Sequence, residues 1–316
     1  MPLPPSIKNA EAAGAMAGAV VGTGALKIDN LYNVDGWVAV VTGGGTGLGL
    51  ITAAALAENG ARVYITGRRL EALQAAVADA SPKSGNGKII ALQGNASTKE
   101  GIEATVAEIS KHDKYINVLV NNHGIAVPEG SPPNINGVPQ TFEGLSKAMM
   151  GDSMEDHWIP LWRINTASYY FTSAAFLPLL GAAAQHFAEP GNIVNIASMS
   201  GITKTSQKGQ FNYNASKAAT ISLSHQLATE FARRDLGVRV NCICPGFFPS
   251  GMVPITPGDL AAGEAANRFR KDWGIPLKRP SNGVDYANCI ISVMTNKYMT
   301  GSEVVIDGGW LLCMEN

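Results

Sequence analysis

The sequence carries little charge of either sign. Its 24 Lys and Arg residues nearly cancel its 25 Asp and Glu residues, and only 16% of positions are charged. No overall field favours a nucleic acid or an anionic membrane surface, and we predict neither as a partner. The four cysteines lack the paired spacing of a zinc site or a disulfide framework, which indicates a reducing, cytoplasmic compartment. The five histidines lack an HExxH-type pairing, so no metal is predicted.

Long, strongly apolar runs are also absent. Residues 10–26 are mostly Ala and Gly, include Glu11, and fall short of the roughly 20 strongly apolar residues that a membrane-spanning helix needs. The preceding MPLPPSIK has one lysine where a secretory signal has a basic segment. We therefore predict no membrane helix and no signal peptide, and we interpret residues 1–30 as a flexible N-terminal extension.

What the sequence does have is a regular alternation of apolar strands and helices. WVAVVT (37–42), a glycine cluster, a helix and ARVYIT (61–66) form one strand–helix–strand unit. Further apolar strand segments follow at KIIALQ (88–93), INVLVN (116–121), NIVNIA (192–197), VRVNCI (238–243) and EVVID (303–307). Strands that are apolar on both faces and joined by helices predict an α/β fold: a Rossmann-like, doubly wound parallel sheet of about seven strands with helices on both faces. No second motif-bearing half follows, so we predict one domain over residues 31–316.

A glycine-rich turn joins the first strand to the first helix. The segment TGGGTGLG (42–49) places free backbone N–H groups and the positive end of the helix dipole at the turn. Glycines let the backbone approach a pyrophosphate, although they can also serve only to supply positive φ. Its position between a strand and a helix favours dinucleotide binding. We predict that the cofactor contacts Thr42, Gly43, Thr46, Gly47, Leu48 and Gly49.

The end of the second strand indicates which cofactor is used. An acidic residue there would bind a free ribose hydroxyl, whereas arginine accommodates a 2′-phosphate. This chain has Arg68 and Arg69 at that place, and a guanidinium matches a phosphate in charge and geometry. We therefore predict NADPH. The alternative is that both arginines are ordinary solvated residues at a helix start.

A tyrosine and a lysine supply candidate acid–base groups. Tyr213 and Lys217 stand four residues apart in YNASK, so they share one face of a predicted helix. That helix follows the fifth strand, which ends at Ser198, and parallel sheets bind ligands at the carboxyl ends of their strands. An adjacent ammonium favours the phenolate, so we expect the pKa of Tyr213 to be lowered towards the operating pH.

The ordered motifs resemble those of the single-domain short-chain dehydrogenase/reductases. The series TGGGTGLG, NNHG, Asn165, Ser198, YNASK, PGFFPS and DGG runs in the matching order over about residues 30–310. The resemblance implies that Tyr213 protonates a substrate carbonyl oxygen while the nicotinamide delivers hydride to the carbon. It further implies that Ser198 hydrogen-bonds that oxygen and that Lys217 holds the ribose hydroxyls and lowers the pKa of Tyr213. Asn165 would support a water that relays protons to Lys217.

The resemblance also implies further cofactor contacts and an assembly. Tyr213 and Lys217 would contact the cofactor together with Asn95, Asn122, Pro245, Gly246 and Ser250. Family members pack two helices across a subunit interface, so a homodimer or homotetramer is expected. On this basis, residues 31–316 are a dinucleotide-binding catalytic domain.

Three departures from the family pattern limit what is carried over. His123 replaces the small residue of the usual NNAG motif, and it is a proton-transfer residue, a substrate contact or a packed imidazole. Asn95 replaces an aspartate and keeps the capacity to pair with adenine. The segment between Ser198 and Tyr213 is longer than in compact members, which predicts a reshaped loop near the substrate.

The function predicted from these residues is an NADPH-dependent oxidoreductase. It would reduce a ketone or aldehyde of a small organic substrate, of carbonyl, 3-oxoacyl or secondary-metabolite type, or catalyse the reverse reaction. An epimerase/dehydratase or enoyl reductase matches the motif spacing less well, and an NADPH-binding scaffold or sensor without turnover is the alternative. Residues 127–151 contain apolar side chains among prolines and glycines, so we expect a segment without regular structure that forms a substrate wall or an oligomer contact, or else buries them on its own domain.

Overall fold

The computed structural model describes residues 23–126, 135, 137–187, 189–250, 269–271 and 273–313. Seven strands in these residues form one parallel sheet, which confirms the predicted fold. The strands are β1 (Val38–Thr42), β2 (Arg62–Gly67), β3 (Lys88–Gln93), β4 (Val118–Asn121), β5 (Asn192–Ile196), β6 (Arg239–Pro245) and β7 (Glu303–Ile306). Each lies within a predicted apolar segment or differs from it by a residue or two at an end.

Helices connect the strands and cover both faces of the sheet. The α-helices described here are α1 (Ile28–Leu31), α2 (Gly47–Glu58), α3 (Leu70–Ala80), α4 (Lys99–His112), α5 (Phe142–Met150), α6 (Ile159–Trp162), α7 (Ser168–Ala182), α8 (Ala184–Phe187), α9 (Phe211–Arg233), α10 (Gly283–Thr295) and α11 (Trp310–Cys313). Wider π-helical turns at Met154–Trp158 and Arg163–Ala167 lie before and after α6.

The order of the strands places a binding crevice at one edge of the sheet. The order is β3-β2-β1-β4-β5-β6-β7, so the chain moves outward from β1 to β3 and then returns to place β4 on the other side of β1. Ligands bind outside the carboxyl ends of the strands where the winding direction reverses. In this sheet that place lies between β1 and β4.

Two apolar layers hold the helices against the sheet. Val41 of β1 belongs to a buried cluster with Leu56 of α2, on the face that α3 and α10 also cover. Val40, its neighbour, points to the opposite face and packs in a second cluster with Phe176 of α7 and Phe231 of α9. Alternate strand residues therefore serve opposite layers, which is why the strands are apolar at nearly every position.

Some elements differ from the sequence-based expectation. Helix α5 lies in a segment that we expected to lack regular structure, and Thr141 caps it by accepting a hydrogen bond from the Gly144 amide at 3.0 Å. Helix α10 was not predicted; it begins with a capping box formed by Asn282 and Asp285. Of the predicted N-terminal extension, residues 1–22 lie outside the described residues, and α1 begins before the expected boundary.

Two kinds of structural feature do not occur in the described ranges. No helix there is long and apolar enough to cross a membrane. No group of three or more His, Cys, Asp or Glu side chains there could hold a metal ion. Cys242 and Cys244 are both buried in β6 with their Sγ atoms 4.0 Å apart.

Candidate active site

The glycine turn after β1 has the geometry of an anion cradle. Gly43 and Gly47 have positive φ values of 65° and 55°. A Cβ at Gly49 would lie 2.4 Å from the carbonyl oxygen of Gly43, so a side chain is excluded there. Helix α2 has no acidic residue in its first turn, and the hydroxyl of its N-cap residue, Thr46, makes no capping bond. The first backbone N–H groups of α2 therefore remain available to a pyrophosphate, and the turn fits that group.

Asn122 and Thr42 tie the ends of β4 and β1 together. The Thr42 hydroxyl donates to the Val120 carbonyl at 3.0 Å and accepts from the Asn122 amide at 3.0 Å. The Asn122 side-chain amide in turn donates to the carbonyls of Thr42 and Gly43, both at 3.1 Å. Asn122 thus shapes the glycine turn, and its direct contact with a cofactor stays a prediction.

The predicted acid–base residues meet at the carboxyl edge of the sheet. Ser198 follows β5, where its hydroxyl accepts from the Ser200 amide at 3.1 Å. Tyr213 and Lys217 lie in the first two turns of α9, and the Lys217 ammonium is 5.9 Å from the Tyr213 ring centroid. Lys217 is 5% exposed and donates to the carbonyl of Ile196 at 2.9 Å. The tertiary structure therefore brings Ser198, at the end of β5, to the two residues that share one face of α9.

The electrostatics of this cluster correct one expectation. We expected Lys217 to lower the pKa of Tyr213, but burial raises the pKa of Tyr213, and a hydrogen bond with Ser198 only partly opposes that rise. Burial also lowers the pKa of Lys217 to about 8. Removal of the phenolate from water therefore outweighs the hydrogen bond with Ser198. The phenol is therefore protonated at neutral pH.

Asn165 lies in the π-helical turn before α7 and is fully buried. Its side chain accepts from the Ile125 amide and donates to the Ile125 carbonyl, both at 2.9 Å. It also donates to the Ser216 hydroxyl at 3.2 Å, and its backbone carbonyl accepts from Thr220 at 2.7 Å. Asn165 thus joins the loop after β4 to α9, while its predicted role in a proton relay stays a prediction.

The adenosine end of the predicted site has free polar groups. Arg68 and Arg69 are exposed after β2, and neither guanidinium has a hydrogen bond or an ion pair to the described residues. Asn95 accepts from the amide and the hydroxyl of Ser97 through its Oδ1 atom, at 3.1 and 2.6 Å. Its Nδ2 atom has no partner among the described residues. These groups are available to a phosphate and to an adenine.

The segment after β6 returns to the glycine turn. The Gly246 amide donates to the Ile306 carbonyl at 2.9 Å, and a Cβ at Gly246 would lie 2.7 Å from the Asp307 Cα atom. The Ser250 Cβ atom lies 3.3 Å from the place that a Cβ would take at Gly47. The segment from Pro245 to Ser250 therefore lies between Asp307 and the glycine turn, and its contact with a cofactor stays a prediction.

A strained turn separates Ser198 from Tyr213. Gln207 and Lys208 have φ values of 49° and 71°, a left-handed conformation that non-glycine residues rarely adopt. The turn is closed by the Gln210 amide, which donates to the Ser206 carbonyl at 2.7 Å. This geometry accompanies the longer spacing that we noted in the sequence, and its contact with a substrate stays a prediction.

The described part of the 127–151 segment is exposed. Residues 127–134 and 136 lie outside the described residues, and α5 has no buried residue. Phe142 is 93% exposed and Met150 is 82% exposed. The alternative that these apolar side chains are buried on their own domain is therefore wrong for α5.

Sequence reasoning missed two residues beside the site. Ser168 and Tyr169 begin α7, and the Tyr169 hydroxyl donates to the carbonyls of His123 and Ile196 at 2.9 and 3.2 Å. The Lys217 ammonium lies 5.7 Å from the Tyr169 ring centroid. Only their spacing after Asn165 could have drawn attention to them, because both residues look like part of an ordinary helix.

Comparisons with known proteins agree with this geometry. A family model described as short chain dehydrogenase matches residues 37–257. The chain is 38% identical over 297 residues to the short-chain dehydrogenase/reductase PhomF of Diaporthe leptostromiformis, covering 92% of this chain and 96% of that protein. It is 31% identical over 277 residues to the 3-oxoacyl-[acyl-carrier-protein] reductase FabG of Chlamydia pneumoniae, covering 85% and 95%.

A solved structure gives the same result. The Pseudomonas aeruginosa RhlG/NADP active-site complex superposes with a TM-score of 0.70 at 28% identity, covering 89% of this chain and 98% of that one. The family model and the relatives span the glycine turn, the YNASK helix and the sheet between them. The chain therefore belongs to the short-chain dehydrogenase/reductase family of oxidoreductases.

Proposed function

We propose that the protein is an NADPH-dependent reductase that converts a ketone or aldehyde of a small organic substrate to an alcohol, or catalyses the reverse reaction. The observation that carries this proposal is the meeting of Ser198, Tyr213 and Lys217 beside the glycine turn. The relative named as a 3-oxoacyl reductase and the neighbour solved with NADP support it. Substrates of carbonyl, 3-oxoacyl or secondary-metabolite type fit this chemistry.

The residues divide the work of carbonyl reduction among them. When bound, NADPH supplies a hydride to the carbonyl carbon. Tyr213 donates its phenolic proton to the carbonyl oxygen, and Ser198 donates a hydrogen bond to the same oxygen. Because burial raises the pKa of Tyr213, the phenol holds the proton that reduction consumes. Lys217 would bind the ribose hydroxyls as an ammonium, and Asn165 would support a water that returns protons to it.

The acid assignment is tested by removing one oxygen. Tyr213→Phe should lower kcat for ketone reduction by roughly 100-fold while the Kd for NADPH stays nearly unchanged. Tyr298→Phe is the matched control, because Tyr298 is fully exposed. Near-parental turnover of Tyr213→Phe would overturn the assignment. If the parent protein binds NADPH but does not oxidise it in the presence of any ketone of a broad panel, the alternative function, a scaffold or sensor without turnover, would be favoured instead.

The cofactor preference is tested at the end of β2. We propose that Arg68 and Arg69 bind the 2′-phosphate, since both guanidinium groups are exposed and unpaired within the described residues. Arg68→Asp should weaken NADPH binding and improve NADH binding. Arg233→Asp, which changes an exposed arginine in the last turn of α9, is the control. Equal affinity of the parent protein for both cofactors would contradict the proposal.

An exposed apolar surface supports assembly into a homodimer or homotetramer. Large side chains that face solvent cluster along the chain from α5 to α7: Phe142, Leu145, Met149, Met150, Met154, Ile159, Trp162, Tyr170 and Phe171. A run of large apolar side chains left in solvent over successive elements favours an interaction site. Light scattering of the purified protein tests the proposal, and a monomer at micromolar concentration would contradict it.

Removal of residues 132–147 should change the KM for ketones more than the Kd for NADPH.

Two remaining predictions complete the proposed function. Residues 31–316 act as a single dinucleotide-binding catalytic domain, which limited proteolysis would test by releasing one stable fragment. The cytoplasmic location rests on the few, unpaired cysteines of the sequence, and fractionation of the producing cells tests it.

A further inference from the structure

His123 bridges two elements of the candidate active site. Its Nδ1 atom lies 2.8 Å from the Thr42 hydroxyl at the end of β1. Its Nε2 atom is hydrogen-bonded to the Ser168 hydroxyl at the start of α7. The imidazole therefore connects the glycine turn with the helix that follows Asn165. Neither ring nitrogen is left for proton transfer to a substrate.

Each of the two hydroxyls also has a backbone carbonyl as an acceptor. The Thr42 hydroxyl donates to the Val120 carbonyl at 3.0 Å, and the Ser168 hydroxyl donates to the Ile164 carbonyl at 2.6 Å. A neutral ring has one N–H donor and one acceptor nitrogen, so it donates to one of these hydroxyls and accepts from the other, which turns its proton from the carbonyl to the ring. Burial and the charge of Lys217 lower the pKa of His123 to about 3, which agrees with a neutral ring.

The surroundings of the ring leave little freedom. Among the described residues, the groups facing it are the hydroxyls of Thr42 and Ser168, the ring of Tyr169 with centroids 4.9 Å apart, and the more distant ammonium of Lys217. A Cβ at Gly43 would lie 2.8 Å from the His123 Cα atom, so the backbone of His123 also borders the glycine turn.

We propose that His123 is a positioning residue, a neutral imidazole whose two hydrogen bonds hold the glycine turn and α7 in a fixed relation. This inference rests on the proposed function, because the turn is the NADPH cradle and α7 follows the turn of Asn165. The Thr42 bond supports the cradle. The Ser168 bond supports the wall formed by Tyr169, against which the Lys217 ammonium lies. Loss of the Thr42 bond should therefore raise the Kd for NADPH, whereas loss of the Ser168 bond should lower kcat.

The variants separate the two bonds. His123→Ala removes both, His123→Asn keeps a donor near the position of Nδ1, and Ser168→Ala removes only the partner of Nε2. We expect His123→Ala to raise the Kd for NADPH by about fivefold and to lower kcat. His123→Asn should restore the Kd to within about twofold of the parent while kcat stays low. Ser168→Ala should lower kcat alone, and the double variant His123→Ala/Ser168→Ala should have the same kcat as His123→Ala.

Three results would overturn the proposal. They are an unchanged Kd and kcat in His123→Ala, a failure of His123→Asn to restore the Kd, and additive kcat losses in the double variant. A purely structural role would lower Tm in every variant without this division between Kd and kcat. His112→Ala, which changes an exposed histidine of α4, is the control.

A spectroscopic measurement tests the bridge without cofactor or turnover. In the nitrogen-15 spectrum of the parent protein, the signals that disappear in His123→Ala or His123→Asn should show a neutral ring in one tautomer from pH 9 to about pH 5. A protonated ring, or a mixture of tautomers in that range, would overturn the proposal whatever the kinetics of the variants. If the parent protein bound no NADPH, the proposed function would fail, and this spectrum would still decide the hydrogen bonds.

Discussion

Replacement of Asn165 by alanine should destabilise the protein more than the small number of atoms removed suggests. The variant removes three side-chain hydrogen bonds, two to Ile125 and one to Ser216, at 2.9, 2.9 and 3.2 Å. At about 1 kcal/mol each, their loss should lower the free energy of unfolding by about 3 kcal/mol. In a chain of this size we expect Tm to fall by about 6 °C.

The assay is thermal unfolding followed by circular dichroism, together with NADPH binding. Thr166→Val is the matched control, because it removes one hydrogen bond, from the neighbouring hydroxyl to the Ser216 carbonyl at 2.9 Å. That single loss should lower Tm by about 2 °C. If Asn165→Ala were no less stable than Thr166→Val, the paired bonds to Ile125 would not hold the loop after β4, and the reasoning would be refuted.

Two further predictions follow from other parts of the molecule. Because burial lowers the pKa of Lys217 to about 8, its ammonium is present below that pH and lost above it, so the Kd for NADPH should rise above about pH 8 in a fluorescence titration. Lys217→Arg should keep its charge and flatten that profile, and a flat profile in the parent protein would contradict the argument. Asp113→Ala should lower the free energy of unfolding in urea by about 2 kcal/mol, since it leaves the buried Tyr64 hydroxyl without its acceptor at 2.6 Å. Glu108→Ala, which breaks only exposed pairs with Lys111 and His112, should be close to neutral, and an equal loss of stability in both variants would count against a special role for Asp113.

The sequence by itself determined the sheet and the identity of its chemical groups. Strands buried on both faces must be apolar at nearly every position, so all seven strands were visible as short apolar runs. The glycine turn was visible because its conformation excludes side chains, as Gly49 illustrates by its contact with Gly43. The spacing of Tyr213 and Lys217 was visible because one helical turn sets it. These features depend on local sequence or on a repeating pattern.

Only the tertiary structure decided how these groups affect one another. The pKa of Tyr213 rises because burial outweighs the hydrogen bond with Ser198, and burial depends on the tertiary structure. His123 joins two elements because Thr42 and Ser168 approach its ring nitrogens from positions 81 and 45 residues away in sequence. The exposure of the apolar side chains of helix α5 is likewise visible only in the structure, although the helix itself begins at a local cap, Thr141. The pKa shift, the contacts of His123 and the exposure of α5 depend on contacts between distant segments and on solvent access, which the local sequence pattern does not specify.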